Sequence, residues 1–246
     1  MLLSSKVILV AGVTGGLGHA VASVLSSNGA TIIALGRERA RMDSVLGSLC
    51  GEGHRSVECD FREPGRVPDA VRAIGIPLDG LAYLAGIDET LPLAVLSQES
   101  MEDIFKVNVF SAAMMCKSVS LQGVMAKSGG SVVIVSSVMG IVGSPGRAVY
   151  SASKAALIGL IKSASLECAR RRVRVNAVLP GYIETPMTRN QQKALSDQQI
   201  DRIRAMHPLG IGMPVDVANT VLFLLSNYSS WITGTSIVVD GGYSAS

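Results

Sequence analysis

The sequence predicts a single doubly wound α/β domain, and three observations lead there. Short β-branched, apolar runs alternate with longer helical patterns from residue 7 to residue 239. The strand-like runs are continuously apolar, not alternating, which marks a parallel sheet buried on both faces. The 246 residues, 48% of them hydrophobic, fit one domain of this class without a second. Parallel strands need crossovers, and the crossover helices cover the sheet.

Val7-Ile8-Leu9-Val10 reads as the first strand and residues 17–28 as the helix after it. Thr31-Ile32-Ile33-Ala34-Leu35 is the second strand, 38–49 a helix, and Arg55 to Cys59 a third strand. A short helix around 67–74 leads to Gly80-Leu81-Ala82-Tyr83-Leu84. One long helix is expected from Glu99 to Met125, then a strand from Ser131 to Val135 and a helix from Val149 to Arg171. Val173 to Val178 is the sixth strand, 214–226 a helix, and Ser236-Ile237-Val238-Val239 the seventh strand. Between Pro180-Gly181 and Pro208, the polar stretch Glu184 to His207 has the length of a substrate lid or a disordered loop. There are no repeats and no low-complexity linker, so residues 1–246 form one domain with a lid at 184–207.

Composition excludes several classes. A net charge of +3, from 22 basic and 19 acidic residues, with 4% aromatics, offers no nucleic-acid surface. The cluster Arg170, Arg171, Arg172 and Arg174 is expected to cap a helix C-terminus, where positive charge meets the negative end of the dipole. Cys50, Cys59, Cys116 and Cys168 form no CxxC, so no metal site or redox pair is expected. Free thiols point to a reducing compartment and hence the cytoplasm. Lys6, the run Val7 to Val13 and Ala20-Val21-Ala22 imitate a secretory signal. Gly12, Gly15, Gly16 and Gly18 break that run, as a strand-turn-helix requires. No run reaches the ~20 apolar residues that span a bilayer, so no membrane partner is expected.

The chemistry starts at Ala11-Gly12-Val13-Thr14-Gly15-Gly16-Leu17-Gly18, after a strand and opening a helix. Glycines there let the backbone turn tightly and approach a pyrophosphate, whose charge sits on the helix N-terminus. At the end of the second strand, a ribose with a free 2′-hydroxyl calls for an acid and a 2′-phosphate for an arginine. Gly36 stands where the acid would be, eighteen residues after Gly18, and Arg37 follows. NADP(H) is therefore expected, with NAD(H) possible; Gly15 in place of a basic residue before Gly16 weighs toward the latter. Asp60 is placed to accept from the adenine amine. Tyr150 and Lys154, four apart on a helix, share one face. An ammonium beside a phenol favours the phenolate, so Tyr150 can give its proton to a carbonyl or take one from an alcohol. Ser137, at a strand end, can hold the substrate oxygen.

Together the glycine loop, Ser137, Tyr150-Ser151-Ala152-Ser153-Lys154 and Pro180-Gly181 resemble the short-chain dehydrogenase/reductase family. The resemblance covers the whole chain, to Trp231-Ile232-Thr233-Gly234 and Val239-Asp240-Gly241-Gly242. It implies a Rossmann-type fold of about seven strands and a catalytic tetrad Asn108, Ser137, Tyr150 and Lys154. Asn108 would hold a water in a proton relay, and Lys154 would also bind the nicotinamide ribose. The implied cofactor-binding set is Gly12, Thr14, Gly15, Gly16, Leu17, Gly18, Arg37, Asp60, Phe61, Ala85, Gly86, Tyr150, Lys154, Pro180, Gly181, Ile183 and Thr185. Two more departures stand out. Ala11 replaces a threonine that braces the glycine loop, and Tyr83-Leu84 stands where the family usually has two asparagines.

Within the family, the motifs and Pro180 to Met187 resemble 3-oxoacyl-[acyl-carrier-protein] reductases, so the expected substrate is an acyl thioester on carrier protein or CoA. Other small ketones, sugars or polyketide intermediates remain open. So do two rivals, an NAD-dependent alcohol dehydrogenase and a nucleotide-binding scaffold without catalysis. An acidic carrier needs a basic surface, and Lys127 and Arg171 flank the catalytic strand and helix in sequence. The resemblance also implies a homotetramer, for which the apolar helices at 99–125 and 149–171 would supply the surface.

Overall fold

Side chains along a strand alternate between its two faces, so each continuously apolar strand of this chain feeds two separate cores. In the computed structural model, which describes residues 1–192 and 196–245, seven parallel strands form one sheet in the order β3-β2-β1-β4-β5-β6-β7. They are β1 (Val7–Ala11), β2 (Thr31–Gly36), β3 (Arg55–Glu58), β4 (Gly80–Tyr83), β5 (Gly130–Val135), β6 (Val173–Pro180) and β7 (Ser236–Val239). Leu9, Ile33, Leu81, Val132 and Val175 face one core; Ile8, Val10, Ile32, Ala82 and Val133 face the other.

The first core is covered by α3 (Val67–Arg72), α5 (Ser111–Ser120) and α6 (Ala148–Ala169), through residues such as Val71, Met115, Val119, Leu157 and Ile161. The second lies under α1 (Gly16–Ser27), α2 (Arg39–Leu46) and α9 (Pro214–Leu225), through Val21, Leu25, Met42, Val221 and Leu225. The doubly wound class and its seven strands are as the sequence predicts.

Three expectations need correction. The expected helix from Glu99 to Met125 is α4 (Gln98–Phe105), a π-helical turn (Lys106–Phe110) and α5, which stops at Ser120. Gly123 takes a left-handed φ of +87° that turns the chain back, and Met125 bridges to Leu78 beside β4. The polar stretch from Glu184 to His207 carries two helices, α7 (Pro186–Gln192) and α8 (Asp197–Ala205), with 193–195 outside the described residues. A capping box starts α8: Ser196 Oγ accepts from Gln199 N, and Gln199 Oε1 accepts from Ser196 N. Finally, Arg174 does not cap α6. It lies in β6 and donates to the carbonyls of Ser226 (3.1 Å) and Ile232 (3.4 Å). Only Arg170 follows the helix directly, as its C-cap residue. No helix among the described residues is long and apolar enough to cross a membrane.

Candidate active site

In an open parallel sheet, ligands bind beyond the carboxyl ends of the strands where the strand order reverses. Here that point lies between β1 and β4, and a cleft of about 450 Å³ opens there. Its wall is made by Gly12, Thr14, Gly15, Gly16, Leu17 and Gly18 of the glycine loop, and Arg37 after β2. Asp60 and Phe61 after β3, Ala85 and Gly86 after β4, and Pro180, Gly181, Ile183 and Thr185 from the end of β6 onward complete it. Ser137, Tyr150 and Lys154 line the same cleft.

The glycine loop is shaped to admit a phosphate chain. Gly12 sits at φ +87°, and a Cβ on it would stand 2.8 Å from the Ala85 nitrogen, so only glycine lets the loops after β1 and β4 meet. A Cβ on Gly18 would run into the Gly12 carbonyl. Gly15 is the N-cap of α1, and no side chain caps that end. The first N–H groups of a helix and the positive end of its dipole favour an anion. Ala11 costs this turn little, because backbone bonds hold it: Gly12 N to Leu35 O (3.0 Å) and Gly15 N to Gly12 O (3.2 Å). The residues present therefore fit a dinucleotide. Helix α7 rests on the same loop, since a Cβ on Gly16 would stand 2.6 Å from Pro186 Cδ.

At the β2 end, Glu38 joins Arg37 on the cleft wall, which the sequence reading did not include. Its Oε1 lies 3.4 Å from Arg37 Nη2 and 3.2 Å from Arg41 Nη1. That end thus offers both a guanidinium for a phosphate and a carboxylate for ribose hydroxyls. Asp60 Oδ1 accepts from Arg62 N (2.9 Å), which fixes the turn after β3.

Strand β5, a 3₁₀ turn and α6 place Ser137, Tyr150 and Lys154. Ser137 lies two residues past the end of β5, and its Oγ accepts from Met139 N (3.2 Å) to start a 3₁₀ turn, Val138–Gly140. That turn packs tightly on α6: a Cβ on Gly140 would lie 3.0 Å from the Lys154 carbonyl carbon. Ser136 Oγ donates to the Lys154 carbonyl (2.8 Å). Lys154 Nζ donates to Val135 O (3.1 Å) and stands 5.6 Å from the Tyr150 ring centroid. Burial pulls the Lys154 ammonium down to about 8, with the Asp88 carboxylate opposing. Burial pushes the Tyr150 phenol up to about 12, and Asp88 adds to this; a hydrogen bond with Ser137 and the Arg147 charge hold it back. Tyr150 therefore keeps its proton at neutral pH, with the Ser137 hydroxyl and the Lys154 ammonium beside it.

Asn108 lies under the cleft floor and does not line it. Within the π turn its Oδ1 accepts from Ile87 N (2.9 Å), and its Nδ2 donates to Ile87 O and Ser153 Oγ, both 3.0 Å. Both amide donors are thus taken, and Asn108 ties the loop after β4 to α6. A Cβ on Gly86 would stand 3.3 Å from Asn108 Oδ1 and 3.4 Å from Lys154 Nζ, which explains the glycine there. Tyr83, in the place of an asparagine, makes its own brace: its hydroxyl donates to Val107 O in the π turn at 2.5 Å.

Sequence reasoning missed Asp88 and Arg147, which pair beside Tyr150. They are far apart in the chain, so no local pattern joins them. Lys127 and Arg171, candidates for a basic carrier-docking surface, lie at the opposite edge of the sheet from the cleft. Each precedes the first residue of its strand, β5 or β6, while the cleft opens past the last residues.

The family model described as enoyl-(acyl carrier protein) reductase matches residues 12–244. The chain is 36% identical over 246 residues to the 3-oxoacyl-[acyl-carrier-protein] reductase FabG of Vibrio cholerae, covering 98% of both. It is 34% identical over 254 residues to the (3R)-3-hydroxyacyl-CoA dehydrogenase of Canis lupus familiaris, covering 98% of this chain and 96% of that one. A solved structure described as a short chain dehydrogenase/reductase family protein superposes with a TM-score of 0.84 at 32% identity, over 99% of each chain. Matches over nearly the whole chain show that it belongs to the short-chain dehydrogenase/reductase family and is an oxidoreductase of a nicotinamide cofactor.

Proposed function

We propose that this protein reduces a 3-oxoacyl thioester, carried on CoA or on acyl carrier protein, to the 3-hydroxyacyl thioester, with NADPH as the preferred reductant. The observation that carries this reading is the convergence of Ser137, Tyr150 and Lys154 in the cleft where the glycine loop opens. The names of the Vibrio cholerae and Canis lupus familiaris relatives support the thioester substrate on carrier and on CoA respectively.

A nicotinamide bound in the cleft supplies the hydride. Ser137 Oγ holds the substrate carbonyl oxygen, and Tyr150 gives that oxygen its phenolic proton as the carbon is reduced. Lys154, held by Val135 O, stabilises the phenolate left behind. Reprotonation of Tyr150 completes the cycle, and the same groups act in reverse on an alcohol. Asn108 keeps the loop after β4 against α6, and a relay water would meet its Oδ1 or the π-turn backbone, because both amide donors are engaged.

Arg37 supports NADPH through a fork onto a 2′-phosphate, and Glu38 on the same wall is the observation that favours NADH. The segment 184–207 acts as the substrate lid, anchored where His207 Nε2 accepts from Tyr182 N (3.3 Å) and its Nδ1 donates to Ile203 O (2.7 Å). A reducing cytoplasm suits the four unpaired cysteines. A carrier would dock at the cleft edge and not on Lys127 or Arg171. The protein acts as a homotetramer.

The deciding experiment follows NADPH and NADH oxidation with acetoacetyl groups on CoA and on carrier protein, with Tyr150→Phe and Arg37→Ala alongside. Turnover lost at least a thousandfold in Tyr150→Phe, and NADPH weakened more than NADH by Arg37→Ala, are expected. Undiminished turnover in Tyr150→Phe would remove Tyr150 as proton donor. NADPH binding without turnover would move the substrate to another ketone or alcohol.

A further inference from the structure

Two charged residues outside the tetrad meet at Tyr150. Asp88 lies two residues past Gly86 on the cleft wall, and Arg147 is the last residue before α6. Arg147 Nη1 pairs with Asp88 Oδ2, and their side chains are only 22% and 10% exposed. The guanidinium carbon stands 5.8 Å from the Tyr150 ring centroid, inside the range of a cation over an aromatic face. The backbone joins the same two loops a second time. Leu91 N donates to Gly146 O (2.9 Å), and a Cβ on Gly146 would stand 3.0 Å from Thr90 Cγ2. The loop after β4 and the turn into α6 are thus fastened together beside the reacting groups.

The charges that bear on this corner are Asp88 from the loop after β4, Arg147 from the turn before α6, and Lys154 from α6 itself; Ser137, two residues past the end of β5, brings a neutral hydroxyl. Asp88 favours the protonated form of both Tyr150 and Lys154, and Arg147 opposes it at Tyr150. A half-buried carboxylate without its partner would act on both groups at full strength, since screening by water is weak there. With the pair closed, Arg147 offsets part of the Asp88 charge felt at Tyr150, where Asp88 remains the stronger of the two.

We propose that Asp88 and Arg147 are positioning residues forming an ion-paired clamp, which seats the Tyr150 ring, locks the two loops at the substrate end and moderates the carboxylate charge beside the reacting groups. This rests on the reading of Tyr150 as proton donor. Neither residue touches the transferred atoms. The clamp works by geometry, and Arg147 offsets part of the Asp88 charge, so breaking it from either side has opposite electrostatic effects.

That opposition is the test. The full-length protein is labelled with ¹³Cε-lysine, and the Lys154 resonance is assigned by its loss in Lys154→Met. Its titration is followed by NMR without cofactor in wild type, Asp88→Asn, Arg147→Gln, the double variant and Arg147→Lys. Asp88→Asn is expected to move the Lys154 midpoint down and Arg147→Gln to move it up, each by about half to one pH unit. The double variant falls between the two single variants, and Arg147→Lys, which keeps the charge, stays at wild type. The pH profile of turnover should shift in the same order. Shifts of one sign in both single variants, no shift, or a double variant that sums two losses would overturn the clamp. Asp88→Asn is isosteric and Arg147→Lys keeps the pair, so the test survives misfolding of Arg147→Gln. The lysine titration needs no substrate, so a failed thioester assay or an active Tyr150→Phe enzyme would sink the proposed function separately from the clamp.

Discussion

Lys154 carries its ammonium in a site only 5% exposed, and that burial has a measurable price in stability. The unfolded chain holds this proton up to about 10.5, the folded chain only to about 8. Between those values the unfolded state binds more protons, so stability rises with pH across that window. Below it the folded state carries the full cost, about 3 kcal/mol. Urea unfolding of cofactor-free wild type and Lys154→Met should show this as a stability difference that changes by about 3 kcal/mol between pH 7 and pH 10.5, in favour of wild type as pH rises. The pH-independent loss of the bond to Val135 O offsets the two curves without changing that slope. A difference that stayed flat would mean that Lys154 is not held charged against its burial. Tyr150 and Lys154 were legible in the sequence because helical spacing puts them on one face. Asp88 and Arg147 were not, because tertiary packing alone brings them together.

At the scale of elements, the π turn shows what periodicity hides. Lys106-Val107-Asn108-Val109-Phe110 has nothing that forbids an α-helix, so the pattern from 99 to 125 reads as one continuous helix. The turn is set from outside, by Asn108 reaching Ile87 and Ser153 and by the Tyr83 hydroxyl on the Val107 carbonyl. π turns leave backbone carbonyls poorly placed for their own helix and concentrate at functional sites. Tyr83→Phe keeps the ring against Phe61 but removes this donor, leaving a buried carbonyl without it. The expected loss is about 1–3 kcal/mol in chemical denaturation, with turnover reduced because Asn108 sits on the same turn. An unchanged unfolding midpoint would show that the phenol contributes no net brace. The central strands, by contrast, were legible nearly to the residue, because a doubly covered parallel strand is apolar throughout; the edge strand β3, Arg55 to Glu58, has no buried residue and no such run. Helix α8 left a local signal too, the Ser196 to Gln199 capping box, but its polar composition masked it.

For the whole molecule, two separate apolar surfaces remain in water in a single chain. One runs along α4 to α6, with Met101, Phe110 and Leu166 exposed; the other lies around α9 and β7, with Phe223, Tyr228, Trp231 and Val238. Trp231 is 98% exposed and Leu166 77%. Were each patch to pair with its own copy about a two-fold axis, the two would generate the proposed tetramer, with dihedral symmetry. Light scattering on a sizing column should give four times the 25.6 kDa chain mass. Leu166→Glu and Trp231→Glu should each reduce it to a dimer, by opening a different interface. A monomeric wild type would rule this assembly out.

The seat of α7 on the glycine loop, with Pro186 against Gly16, has a thermodynamic consequence. If the glycine loop holds a coenzyme's phosphates and α7 belongs to a substrate lid, as proposed, the two act on the same few atoms and their equilibria are linked. Whatever the coenzyme adds to or subtracts from the free energy of lid closure, the substrate under the lid must return to coenzyme binding in equal measure, because linkage between two ligands is reciprocal.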